Sequence, residues 1–203
     1  MLDCNTDLIE LRWEGPFGWP CPTLQSDQLP LGNAVAALKG GIYLWTVEYS
    51  GGYLIYLAGM TRRPFLKRFQ AHAKEYRRGV YTVFDVASLK RGNRTEIWHG
   101  FYYKNRPVEK QLEYDRRVDE ITAAVNALLL NYRVFVAHVE PTPRILERIE
   151  GAIMTMLYNS TGPISAVPDR GMQLAPRWKR EQSIFVRNVW PVMIHGLPME
   201  FEV

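Results

Sequence analysis

The chain has 203 residues, 47% of them hydrophobic and 23% charged, which fits one globular core and excludes a disordered or fibrous class. No apolar run nears the ~20 residues of a membrane span, and the acidic start MLDCNTDLIELRWEGP has no apolar signal core, so no membrane partner is expected and cytoplasm is the expected compartment. The net charge of +4 and pI near 9.1 lean mildly towards a polyanionic partner. Cys4 and Cys21 have no His or Cys at zinc-ligand spacing and read as free thiols.

Residues 8–13 alternate and predict a short strand. The run Gly15-Pro16-Phe17-Gly18-Trp19-Pro20-Cys21-Pro22 holds three prolines and cannot be helical. It reads as a strap over a sheet rather than a DNA-contacting arm, because only Arg12 is basic there. Residues 33–39 predict a helical turn that stops at Gly40-Gly41. Residues 41–49 then form a strand, Ser50-Gly51-Gly52 a turn, and residues 53–58 the returning strand, which breaks at Gly59. With a two-residue loop, paired residue numbers have an odd sum, so Tyr43 and Tyr56 share a face. A bulge can reverse that parity.

A basic helix starts at Pro64 and closes at Gly79. Phe65, Phe69 and Tyr76 form its buried stripe, His72 falls inside the stripe, and Arg68 lies on its edge. His72 is a satisfied core histidine on one reading and a functional group on the other. Arg62, Arg63, Lys67, Arg77 and Arg78 make a solvated face that a phosphate backbone could use. Residues 80–103 predict one or two strands around a basic loop at 90–94, with His99 structural, and residues 107–130 one long helix. A strand over 134–139 follows, then a helix from Thr142-Pro143. Its apolar arc holds Leu146, Ile149, Ile153, Met156 and Leu157. At roughly 100° per residue Glu150 lies about 20° beyond the arc and Glu147 about 80° beyond it. Glu150 is therefore the acid held against the core, where it needs a metal ion or an arginine such as Arg68. Asn159 caps the helix end. Residues 160–182 are loop-rich and basic around Trp178, residues 183–189 form a closing strand, and the apolar end PVMIHGLPMEFEV covers the sheet or meets a second subunit.

Five of these elements, in this order, resemble the GIY-YIG nuclease superfamily. Gly41-Ile42-Tyr43 matches the first half of its signature. Tyr56-Leu57-Ala58-Gly59 resembles the second half with one residue added, and Gly59-Met60-Thr61 continues it. Arg68 and His72 match an Arg-x-x-x-His pair of the restriction-enzyme members, and Glu150 and Asn159 resemble the glutamate and asparagine that complete the site. The resemblance implies an α+β fold: a small antiparallel β-sheet flanked by helices, with a core of roughly residues 41–78 and 132–160. Residues 1–40 would be an N-terminal arm, 79–131 an insertion and 161–203 a basic extension.

The implied activity is metal-dependent hydrolysis of DNA. One Mg²⁺ (or Mn²⁺) ion would sit on Glu150, since a single carboxylate stands in the constellation. Tyr43 would be the general base or a relay that orients the water, and Tyr56 would hydrogen-bond the scissile phosphate, a role for which Leu57 is chemically useless. Arg68 would neutralise charge, while His72 would share the proton transfer or support Arg68. The expected partner is double-stranded DNA, and for a palindromic target a two-fold homodimer. A sequence-specific restriction-type endonuclease is the leading expectation. The alternatives are a structure-specific nuclease of repair, recombination or mobile elements, and a catalytically inactive DNA-binding module of the same fold.

Overall fold

The computed structural model describes residues 8–20, 29–102, 107–140 and 142–203; Cys4 and Cys21 lie outside them. In chain order, β1 (Leu8–Gly18) precedes two 3₁₀ turns, Leu31–Asn33 and Val35–Leu38. The hairpin β2 (Gly41–Tyr49) and β3 (Gly52–Thr61) leads into α1 (Phe65–Arg77). The middle of the chain holds β4 (Val83–Phe84), α2 (Val86–Lys90), β5 (Glu96–Trp98), α3 (Val108–Arg116) and α4 (Val118–Asn131). Then come β6 (Arg133–His138), α5 (Pro143–Tyr158), α6 (Pro163–Ala166), β7 (Phe185–Val189), β8 (Ile194–His195) and β9 (Glu200–Glu202).

The α+β character holds, but the sheet is neither small nor wholly antiparallel. Seven strands run in the order β8-β3-β2-β6-β1-β7-β9. The central four pair antiparallel, while β7 joins β1 and β8 joins β3 in parallel. The enlargement comes from the two ends of the chain. Of the stretch expected as a strap, residues 15–18 are the end of β1, paired with β6 through a register shift between Glu14 and Phe17, and Cys21 and Pro22 lie outside the described residues. The closing segment supplies the outer strands, and the alternation of β7 buries Val186 and Asn188.

Both faces of the central strands are covered, so residues 41–47, expected as part of an alternating strand, are buried throughout. Ile42 and Leu44 pack with Phe135, Ile149, Ile153 and Met154 beneath α5. Tyr43, Trp45 and Val47 pack on the opposite face with Phe69, Tyr76 and Leu129 beneath α1 and α4. The result is three layers, helix–sheet–helix. Each such side chain, fully buried, contributes about 1.5–3 kcal/mol of transfer free energy.

The long helix expected over 107–130 is two helices that meet at Arg117 (φ −111, ψ 15). Its guanidinium bonds Glu113, Glu120 and the Ile97 carbonyl, and so ties the bend to β5. The segment expected as strands around a loop also contains α2, whose first turn is capped by Asp85 accepting the Ser88 N–H at 2.6 Å. Among the described residues no helix is long and apolar enough to cross a membrane.

Candidate active site

The geometry of the site begins with the hairpin turn. Tyr49 pairs with Gly52 across a two-residue loop, Ser50 (φ 45) and Gly51 (φ 75), both in the left-handed region that primed turns require. Pairing runs regularly to Thr46 opposite Ile55, then slips, and Trp45 faces Leu57. Tyr56 is therefore the extra residue of a β-bulge, and the residue added in Tyr56-Leu57-Ala58-Gly59 is absorbed there. Beyond the bulge Tyr43 stands directly opposite Gly59. The tyrosine ring lies over that glycine so closely that a Cβ would collide with the ring and its hydroxyl. Gly59→Ala is expected to cost about 1–3 kcal/mol through overpacking, read as a lower urea midpoint, and to displace the Tyr43 hydroxyl.

The outer edge of β3 comes next. β8 covers only Tyr53 and Leu54. Past it, the Tyr56 carbonyl accepts the Asp169 N–H, the Ala58 N–H donates to Met154 Sδ at 3.1 Å, and the Met60 N–H donates to Glu150 Oε1 at 3.0 Å. Glu150 and Met154 are one helical turn apart on α5, so a single face of that helix satisfies the edge. The second oxygen of Glu150 has no hydrogen-bond partner among the described residues. Burial pushes this carboxyl up to about 7, against the Met60 N–H and the Arg68 charge, which favour its ionised form. Glu147 is 41% exposed and pairs with Arg144, so the helical arc sorted the two acids as expected. The ion pair between Glu150 and Arg68, the alternative to a metal ion, is not formed: Arg68 makes no salt bridge among the described residues.

Arg68 instead donates its Nε–H to the Tyr43 oxygen at 3.3 Å. That hydroxyl lies 3.2 Å from His72 Nε2, and His72 Nδ1 lies 3.1 Å from the Tyr81 hydroxyl. Burial pushes Tyr43 up to about 12, opposed by Arg68, and pushes His72 down to about 3, reinforced by the Arg68 charge. Both groups are neutral at pH 7. Proton bookkeeping then fixes the direction of the bonds. Tyr43 is 1% exposed, and its O–H has one acceptor within reach among the described residues, His72 Nε2. Reversing that bond would leave a buried hydroxyl hydrogen unpaired, at about 1–3 kcal/mol. Nε2 therefore accepts, Nδ1 carries the ring proton, and the Tyr81 oxygen receives it.

The structure thus gathers Tyr43, Arg68 and His72, with Glu150 close enough for its charge to act on both Tyr43 and Arg68. It does not bring Tyr56 or Asn159 to them. Tyr56 is buried on the same sheet face but packs against Trp45, Phe84 and Tyr132, with Trp45 also contacting Tyr43. Asn159 is exposed at the C-terminal end of α5, nine residues and roughly 13 Å of helix beyond Glu150. Tyr81 escaped the sequence reading. Its one signal is the helix stop: Gly79 N–H bonds Tyr76 O and Val80 N–H bonds Glu75 O, a pattern that folds the chain back along α1 towards His72.

Arg62, Arg63 and Lys67 are exposed beside this cluster and make no ion pair among the described residues. The Trp178 loop is less free than its composition suggested. Trp178 is 65% exposed, but Arg144 stacks on its ring at 4.1 Å and is held by Glu181 at 2.6 Å. Among the described residues no group of three or more His, Cys, Asp or Glu could hold a metal ion. A hard divalent ion needs less when substrate is present, because one carboxylate can be completed by phosphate oxygens and water. The free oxygen of Glu150 fits that case, and it fits no resident, all-protein metal site. Comparison of the chain with protein-family models, with curated proteins and with solved structures finds no match.

Proposed function

We propose that this protein is a metal-dependent DNA endonuclease of GIY-YIG type, with Tyr43, Arg68, His72 and Glu150 as its working residues. One observation carries the reading. A neutral Tyr43–His72 pair is bridged to an arginine without a carboxylate partner, beside a carboxylate with one oxygen free. Each piece has an ordinary structural use. A satisfied core histidine does not need an arginine on its tyrosine, however, and a half-buried acid with a free oxygen is costly unless something uses it.

In this reading Arg68, the exposed member, takes a non-bridging oxygen of the scissile phosphate and moves off the Tyr43 hydroxyl. The uncovered oxygen accepts a proton from the attacking water while its own proton passes to His72 Nε2. Tyr43 thus acts as a relay and not as a preformed phenolate, which its burial disfavours. Glu150 would hold a Mg²⁺ or Mn²⁺ ion together with phosphate oxygens, and that ion, when bound, supplies Lewis-acid stabilisation of the departing oxygen. Arg62, Arg63 and Lys67 would track the flanking backbone, so binding should weaken steeply with salt. Tyr56 and Asn159 take no part.

The test is cleavage of a large, sequence-diverse duplex DNA with Mg²⁺ and with EDTA, wild type beside Glu150→Ala. Discrete fragments from the wild type in Mg²⁺ alone are expected, and the fragment ends would give the recognition site. A smear that Glu150→Ala abolishes would replace the restriction reading by a repair or structure-specific one. Binding without cleavage across several metals would make the protein a non-catalytic DNA-binding module.

A further inference from the structure

Tyr81 lies outside the residues that the resemblance supplied, yet its hydroxyl is 3.1 Å from the ring nitrogen that faces away from Tyr43. We infer that Tyr81 is a positioning residue: its oxygen accepts the His72 Nδ1–H, which holds the ring with Nε2 towards Tyr43, and its own proton has an outlet to water. The inference rests on the nuclease reading for its catalytic consequence, but not for its structural part.

The argument is one of proton balance in an apolar setting. His72 is surrounded by the rings of Tyr43, Trp45 and Phe69, and an imidazolium there would be poorly solvated and beside Arg68. A relay that never charges the ring avoids that cost. The attacking water gives a proton to the Tyr43 oxygen, and Tyr43 gives its own to His72 Nε2. His72 gives its Nδ1 proton to Tyr81, and Tyr81 releases one to solvent. Each side chain ends neutral, with His72 as the other tautomer. The new bond joins the water oxygen to phosphorus, the bond to the leaving oxygen breaks, and that oxygen is protonated from solvent. Tyr81 is half-buried while Tyr43 and His72 are buried, so among these three it is the one that meets water. Without its oxygen the Nδ1–H has no partner and its proton no way out, so the ring cannot take the Tyr43 proton without becoming an imidazolium beside Arg68.

Nitrogen-resolved NMR of the histidine rings tests this on the free protein, with the His72 signals assigned through His72→Gln. The wild type is expected to hold the Nδ1–H tautomer between pH 6 and 8 with a hydrogen-bonded, downfield Nδ1 proton, and Tyr81→Phe to keep that tautomer while the Nδ1 proton moves upfield. In cleavage, Tyr81→Phe should lower kcat about 10- to 100-fold with KM within about twofold, the mark of a lost transition-state step and not of lost binding. An Nε2–H tautomer in the wild type overturns the inference. So does a Tyr81→Phe variant whose Nδ1 proton keeps its hydrogen-bonded shift, whatever its kcat, or one whose shift moves while kcat does not. If the wild type cleaves no DNA, the nuclease reading fails, and the NMR result still decides whether Tyr81 sets the ring.

Discussion

Glu150→Gln is expected to abolish Mg²⁺-dependent cleavage, by about 10³-fold or more, while making the metal-free protein more stable at pH 8. The two effects share one cause. The Glu150 carboxyl titrates near 7 in the folded protein because burial penalises its charge, against an ordinary value of 4.5. Below about pH 4.5 folded and unfolded chains both hold the proton and there is no penalty. Between 4.5 and 7 the unfolded chain releases it first, so stability falls as pH rises, and above 7 the full penalty is present. A shift of that size corresponds to about 3–3.5 kcal/mol. Glutamine never ionises, and its carbonyl oxygen can still accept the Met60 N–H that closes the edge of β3. Urea unfolding of the two proteins at pH 5 and pH 8 should therefore give similar stabilities at the lower pH and a more stable variant at the higher. Equal pH dependence would mean that Glu150 is not held at a cost, and would remove the main physical reason for regarding it as a ligand in waiting.

How far the sequence carried this site depends on which forces placed each residue. Local periodicity placed α1 and α5, and with them His72 on a buried stripe and Glu150, rather than Glu147, against the core. Turn chemistry placed the hairpin and its loop, but the returning strand starts at Gly52 and runs through Gly59 to Thr61 instead of breaking at Gly59. What local pattern could not show was long-range pairing. Residues 8–18 and the C-terminal strands enter the sheet through partners as much as 177 residues away, so residues 8–13 read as a short strand and the proline-rich run after them as a strap. The break at Arg117 was hidden for a related reason, since the carboxylates and the carbonyl that hold it come from three elements. The bulge is the instructive case. Parity correctly kept Tyr56 on the Tyr43 face, because at a bulge two successive residues oppose one. A shared face is nevertheless not a shared site, and Trp45 packs against both tyrosines.

That separation makes Tyr43→Phe and Tyr56→Phe the sharpest pair of variants. Tyr43→Phe removes the acceptor for the attacking water's proton, the donor to His72 Nε2 and the oxygen that holds Arg68. A positioned proton-transfer group is worth about 10²–10⁴ in rate, so kcat should fall by that amount while DNA binding, carried by exposed cations, stays within about threefold. Tyr56→Phe removes a hydroxyl among Phe84 and Tyr132, where neither Arg68 nor Glu150 contributes to its environment. Its ring stacking on Trp45 survives, and kcat should stay within about threefold of wild type with a stability change under about 1 kcal/mol. Single-turnover cleavage of one duplex by both variants checks this. If Tyr56→Phe is as damaging as Tyr43→Phe, the phosphate-binding role implied by the resemblance belongs to Tyr56 after all, and substrate must rearrange β3 around the bulge to reach it. If both retain activity, the Tyr43–His72 pair is a feature of the core alone, and the chemistry has to be sought at Glu150 and the arginines without a phenol.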